Sequence, residues 1–167
     1  MVMPFRPLRE TEEWKRGHTG ELLVARWLMR RGWYVVPSYD YSGEDGFKAP
    51  RMHGLRDGFV LPDLDVSKDG QRLWAEVKTK RVPTLHRITG RMEHGIAINH
   101  WKAYRRVQQE SGCDVWLVIY EELARRLVVG RLSALEKNAR FYQGDKMDRS
   151  GMVFFLRDDF KPLPVST

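Results

Sequence analysis

Two acids and a lysine, Asp63, Glu76 and Lys78, lie in the stretch LPDLDVSKDGQRLWAEVKTK (residues 61 to 80) at positions that one β-hairpin brings together. Asp69-Gly70 within it is a strong two-residue turn signal. With those two residues at the centre of the turn, Ser67 faces Arg72, Val66 faces Leu73, and Asp63 falls across from Glu76. An odd-numbered loop would shift this register. Side chains alternate along a strand, so Asp63, Asp65, Trp74, Glu76 and Lys78 share one face. Val60, Pro62, Leu64, Val66, Leu73, Ala75 and Val77 share the other, which is wholly apolar and is expected to face the core.

Directly opposed side chains in an antiparallel pair have Cβ atoms roughly 4.5–5.5 Å apart. Two carboxylates at that spacing repel unless one is protonated or a cation lies between them. Mg²⁺ suits such a pair, because it is held by one or two carboxylates while keeping waters and accepting phosphate oxygens. Lys78 adds a compact positive charge to hold a water or steady a phosphate. The chemistry this set serves is metal-assisted phosphodiester hydrolysis. An isolated E-x-K is more often a solvated Glu–Lys contact; the register, the apolar opposite face and the basic composition favour the metal. Asp65 ranks second as a ligand, since it sits opposite Trp74.

The elements that must carry these residues are readable in outline. TEEWKRGHTGELLVARWLMRRG reads as a helix capped by Thr11 and stopped at Gly32, with Leu22, Ala25 and Met29 as its apolar stripe and Val24 and Leu28 alongside. WYVVP reads as a strand, and residues 38 to 58 as a long loop expected to govern substrate choice. FVLPDLDV and RLWAEVKTK are the two hairpin strands, followed by a loop over 81 to 97 and a helix over about 99 to 111 ending at Gly112. DVWLVIYEE is apolar enough for a buried central strand, RRLVVG is a further strand, and GMVFFLR a last one. Ser133 and Glu136 in capping-box spacing predict a helix in SALEKNARFY. This order fits a single α/β domain, a mixed sheet flanked by helices, with a core over about 11 to 131 and a helix-strand extension over 132 to 167.

Composition narrows the function. Lys and Arg number 29 against 22 acids, for a net charge of +7, which suits a polyanionic partner such as DNA. The longest apolar run, VWLVIY, is far too short to cross a bilayer, so no membrane partner is expected. One cysteine, Cys113, rules out an internal disulfide and a cysteine-rich zinc site, and a cytoplasmic setting is expected. There is no Gly-Lys-Ser/Thr phosphate loop and no G-x-S-x-G elbow, which argues against an ATPase or serine hydrolase.

Pro62-Asp63 followed by Glu76-Val77-Lys78 resembles the signature of the PD-(D/E)xK nuclease superfamily. GHTGELLVARWLMRRGWYVV, with Glu21 on a helix before a strand, is similar to the opening of its Holliday-junction resolvase-type members, and the likeness covers roughly residues 15 to 120. The resemblance implies a restriction-endonuclease-like fold and Mg²⁺- or Mn²⁺-dependent cleavage of DNA. It implies Asp63 and Glu76 as metal ligands, the Val77 carbonyl as a further ligand, Glu21 as an accessory ligand and Lys78 as the residue that positions water or stabilises charge. It also implies a two-fold homodimer. The 41 residues between Glu21 and Asp63 exceed what a minimal resolvase core uses and are expected to hold an inserted substrate loop. His100 and Tyr104 stand at the spacing of the Q-x-x-x-Y element of some helicase-linked exonucleases, with His in place of Gln; they read equally well as a DNA-contacting pair or as an aromatic helix face.

A phosphate-binding track is expected from Lys80, Arg81, Arg87 and Arg91 beside the site, and from Lys102, Arg105 and Arg106 on the following helix. His18 faces the same side as Glu21, but no further ligands pair with them for a separate zinc site. His86 and His94 read as ordinary loop histidines. Branched or junction DNA is the first expected substrate, ordinary duplex or single-stranded DNA the second. The competing class is a DNA-binding or assembly protein that keeps the fold without cleaving.

Overall fold

Small and apolar side chains on one side of the first helix decide how it meets the sheet. The computed structural model describes residues 12–37, 51–54, 57–143 and 151–164, and within it α1 (Glu12–Met29) runs unbroken through Gly17 and Gly20. Val24 is buried, and Leu23, Ala25, Trp27 and Leu28 pack beside it. Leu22 and Met29, expected in the stripe, are 45% and 52% exposed. The reason is Gly20, whose missing side chain lets the helix approach Thr79 and Val77 and so rotates the contact face. Thr11, the expected cap, lies outside the described residues.

The main sheet has six strands in the order β1-β4-β5-β8-β9-β12. These are β1 (Tyr34–Pro37), β4 (Leu64–Lys68), β5 (Gln71–Lys80), β8 (Asp114–Glu121), β9 (Arg126–Arg131) and β12 (Lys161–Leu163). β5 and β8 are parallel and every other neighbouring pair is antiparallel, so the sheet is mixed. Asp69 and Gly70 turn with φ of 50° and 76°, and the β4–β5 register is the one that turn dictates, with Val66 opposite Leu73 and Leu64 opposite Ala75.

Both faces of β5 are covered. Ala75 and Val77 meet α1 together with Leu64, Val66 and Val118. Trp74 points to the other side, into a core built with Leu117, Ile119 and the Tyr104 and Val107 side chains of α2 (Ile98–Ser111). That second core is closed by a smaller antiparallel sheet, β10-β11-β7-β6, comprising β6 (Thr84–His86), β7 (Arg91–Ala97), β10 (Arg140–Tyr142) and β11 (Met152–Leu156). The face carrying Trp74 and Glu76, expected to be polar, is therefore interior. Alternation within one hairpin cannot register a helix and a sheet that arrive from elsewhere in the chain.

Other expectations need correction. The strand expected over 59 to 66 is two: β3 (Gly58–Val60) pairs with β2 (Arg51–His53) as a separate ribbon, and the chain breaks at Leu61–Asp63. Pro62 enforces that break, since it has no N–H to continue a ladder. The ribbon occupies part of the expected 38 to 58 loop; 38–50, 55 and 56 lie outside the described residues. The loop expected over 81 to 97 is the β6–β7 hairpin. The helix at Ser133 is only α3 (Leu132–Leu135) and a short 3-10 turn; Arg131 stands at its N-cap, so Ser133 lies inside it and makes no cap, and Glu136 accepts a hydrogen bond from Trp101 Nε1 at 2.8 Å. GMVFFLR forms β11, which is not the last strand and belongs to the smaller sheet.

Candidate active site

β4 stops at Leu64 while β5 continues to Lys80, so the far half of β5 loses its neighbour on that side. Extending the register places Pro62 opposite Val77 and Asp63 opposite Glu76. The Val77 N–H, which β4 would otherwise bind, donates instead to Asp63 Oδ2 at 2.8 Å. N–H and C=O of one strand residue point to the same side, so the Val77 carbonyl shares this edge, and Pro62 has no N–H to give it. Two carboxyl groups and a main-chain oxygen thus collect where one ladder ends.

The electrostatics here are costly for a protein without a cation. Glu76 is 1% exposed and its two carboxylate oxygens accept no hydrogen bond from any described residue. Lys78, next on the same face, forms an ion pair with Glu76 Oε1. Asp63, 7% exposed, has its carboxyl pushed well above the usual carboxylate range, first by burial and then by the Glu76 charge. Glu21 is also raised, chiefly by burial, with Glu76 adding to the effect and His18 opposing it; His18 Nδ1 lies 3.7 Å from its carboxylate. Buried anions without hydrogen-bond donors are rare unless paired or bound to metal.

This donor set fits a hard divalent ion. Among the described residues no three His, Cys, Asp or Glu side chains cluster closely enough to form a cage. Two carboxylates, one carbonyl and retained waters match what Mg²⁺ takes from a protein. Glu21, on α1, is near enough for the Glu76 charge to act on it. Asp65 is removed from contention, because Arg72 binds both its oxygens, at 2.9 and 2.6 Å.

The expected DNA contacts divide. Arg81, Arg87, Arg91, His100, Lys102 and Arg105 are exposed. Lys80 is half-buried next to Lys78, and burial together with that charge lowers its pKa. Tyr104 cannot touch a ligand: it is 2% exposed, packed in the core with its ring centroid 5.9 Å from that of His100. The helix-face reading of that pair is the correct one for Tyr104. His94 sits in β7, buried and hydrogen-bonded to Glu121 at 2.8 Å, where Arg126 and Arg157 also converge. His86 bonds Thr89 Oγ1 at 2.8 Å in the hairpin turn. No pattern in the sequence points to Arg51 and Phe59, which the ribbon brings against α2.

No family model matches the chain, and no curated protein matches it. Among the described residues, no helix is long and apolar enough to cross a membrane. Among solved structures, the chain is similar to a nuclease from a fusselovirus, at 14% identity and a TM-score of 0.49 over 97% of this chain and 90% of that one. It is also similar to Hjc, a Holliday junction resolvase from the archaeal hyperthermophile Archaeoglobus fulgidus, at 11% identity and a TM-score of 0.55 over 86% of this chain and 91% of that one. The mixed sheet flanked by helices is thus the fold of an archaeal Holliday junction resolvase, the restriction-endonuclease-like fold.

Proposed function

We propose that the protein is a metal-dependent DNA endonuclease, with branched or junction DNA as its first substrate class and a homodimer as its working form. The observation that carries this reading is the buried Glu76 carboxylate, paired with Lys78 and set beside Asp63. Asp63, Glu76 and the Val77 carbonyl would hold Mg²⁺ or Mn²⁺, with Glu21 as an accessory ligand. When bound, the ion supplies charge to polarise the phosphodiester and lower the pKa of water.

The chain's own groups do the rest. The Val77 N–H fixes the orientation of the Asp63 carboxyl. Lys78, partly exposed and anchored to Glu76, presents positive charge to the phosphate or a hydrogen bond to the attacking water. Arg81, Arg87 and Arg91 hold flanking phosphates. The likeness to a resolvase fold favours junction DNA, and the surplus of basic residues favours a polyanion.

The test is incubation of purified protein with labelled linear, circular and four-way DNA in Mg²⁺, Mn²⁺ or EDTA. Cleavage in metal that is absent in EDTA and lost in Glu76→Ala, with DNA binding retained, is expected. Binding without nicking in either metal would make the protein a DNA-binding or assembly factor on a nuclease fold.

A further inference from the structure

Two concavities adjoin on α2. One, of about 440 Å³, lies between α2 and the β2–β3 ribbon and is lined by Arg51, Phe59, Asn99, His100, Lys102 and Arg106 among others. The other, of about 230 Å³, is lined by Trp101, Lys102, Arg105, Arg106 and Gln109. They share Lys102 and Arg106, one helical turn apart, as a basic ridge. Each repeats the same arrangement of an arginine over an aromatic ring. Arg106 lies 4.8 Å from the centroid of Phe59, and Arg105 lies 5.2 Å from that of Trp101. Among the described residues, no carboxylate lines either concavity. The ion pairs of Arg106 with Asp57 and of Arg105 with Glu136 are ones a phosphate can replace.

His100, on the wall of the first concavity, is close enough to Lys78 and Glu76 for their charges to act on it, so that wall borders the candidate active site. A duplex buries its base faces in its own stack, so an aromatic wall inside a basic groove has nothing to offer it. An unpaired strand presents alternating phosphates and base faces, and basic grooves with stacking aromatics are how proteins hold it. We propose that α2 and the ribbon form a path for an unpaired DNA strand, with phosphates on the Lys102–Arg106 ridge and bases against Phe59 and Trp101. Resting on the nuclease reading, this makes the preferred substrate DNA with a single-stranded segment beside the cleaved bond.

The test has a binding arm and a cleavage arm. Binding of fluorescein-labelled oligothymidylate in EDTA is followed by anisotropy for the wild type, Phe59→Leu, and the surface variant Lys102→Ala. Phe59→Leu, which keeps apolar volume, should weaken binding about tenfold through lost stacking. Lys102→Ala, which removes only an exposed side chain, should weaken binding and reduce the salt slope by about 0.7. In Mg²⁺, both variants should lose more cleavage of a duplex with a single-stranded overhang than of blunt duplex. Equal losses on blunt and overhanging DNA, or no oligothymidylate binding by wild type, would overturn the proposal. Oligothymidylate binding that depends on Phe59, in a protein that cleaves nothing, would support the strand path and sink the nuclease reading.

Discussion

Replacing Glu76 by glutamine removes one charge from the site with almost no change in volume, and the geometry sets the direction of two effects. A buried ion costs several kcal/mol after relaxation, and the ion pair with Lys78, itself 30% exposed, offsets only part of that. The amide instead strands neutral donors, at about 1–3 kcal/mol for an unmade hydrogen bond. The metal-free variant should therefore gain about 1–2 kcal/mol, a Tm rise of roughly 2–8 °C at this chain length. The wild type, given Mg²⁺ or Mn²⁺ at about ten times Kd, should gain about 1.4 kcal/mol by mass action, a Tm rise of roughly 3–6 °C. In Glu76→Gln that metal-induced rise should vanish. Differential scanning calorimetry of both proteins in EDTA and across a metal titration measures all of this without any DNA. A variant that melts several degrees below wild type in EDTA and keeps the full metal shift would refute the reasoning, and would make Glu76 a structural acid.

Two further perturbations probe the frame around the site. Gly20→Ala puts a Cβ against Thr79 Oγ1, which itself bonds the Arg16 carbonyl at 3.3 Å, so α1 must lift or Thr79 must rotate. The expected cost is about 1–3 kcal/mol in urea melts, with most of it recovered in the double variant with Thr79→Ala; a simple sum of the two single effects would refute direct contact. Burial disfavours the Glu121 charge, but Arg157, Arg126 and His94 outweigh it and bring the carboxylate from 4.5 to about 2. Its charge thus contributes about 3 kcal/mol above pH 4.5, lost as pH falls toward 2. His94 is lowered from 6.5, mainly by burial, so folding also weakens as pH falls below 6.5. Urea melts from pH 3 to 8 should show stability rising with pH, with the segment below pH 4.5 flattened in Glu121→Gln; an unchanged acid limb would refute the assignment.

What the sequence makes legible is local or nearly so. Asp69-Gly70 forces positive φ at both turn positions, and that alone carries the register from Ser67–Arg72 to Leu64–Ala75. The buried β8 strand and the Gly112 helix stop, with φ of 66°, follow in the same way from neighbouring residues. What stays hidden depends on partners far along the chain. β7 contains Arg91, Glu93 and His94, which read as loop; Glu93 is paired with Arg140, 47 residues on, and His94 hydrogen-bonded to Glu121, 27 residues on. The burial of the face that carries Trp74 is hidden for the same reason, since α2 and the smaller sheet that pack on it are assembled from residues after Lys80.

Proline beside aspartate in the first hairpin strand has a physical reading that the fold supplies. A regular strand at position 62 would donate its N–H to the Val77 carbonyl and accept the Val77 N–H, completing the ladder and leaving no edge. Pro62 forbids the first bond, and Asp63 takes the second with its side chain. The ladder ends with an oxygen facing outward and a carboxyl group tied in place next to it. Ending β4 one turn earlier would expose this edge to water but leave Asp63 unheld. Continuing it would satisfy the edge and leave Glu76 with Lys78 as the cation set against its charge. The observed break leaves the Asp63 carboxyl and the Val77 main chain on one edge beside the buried Glu76, the arrangement on which the proposed cation site rests.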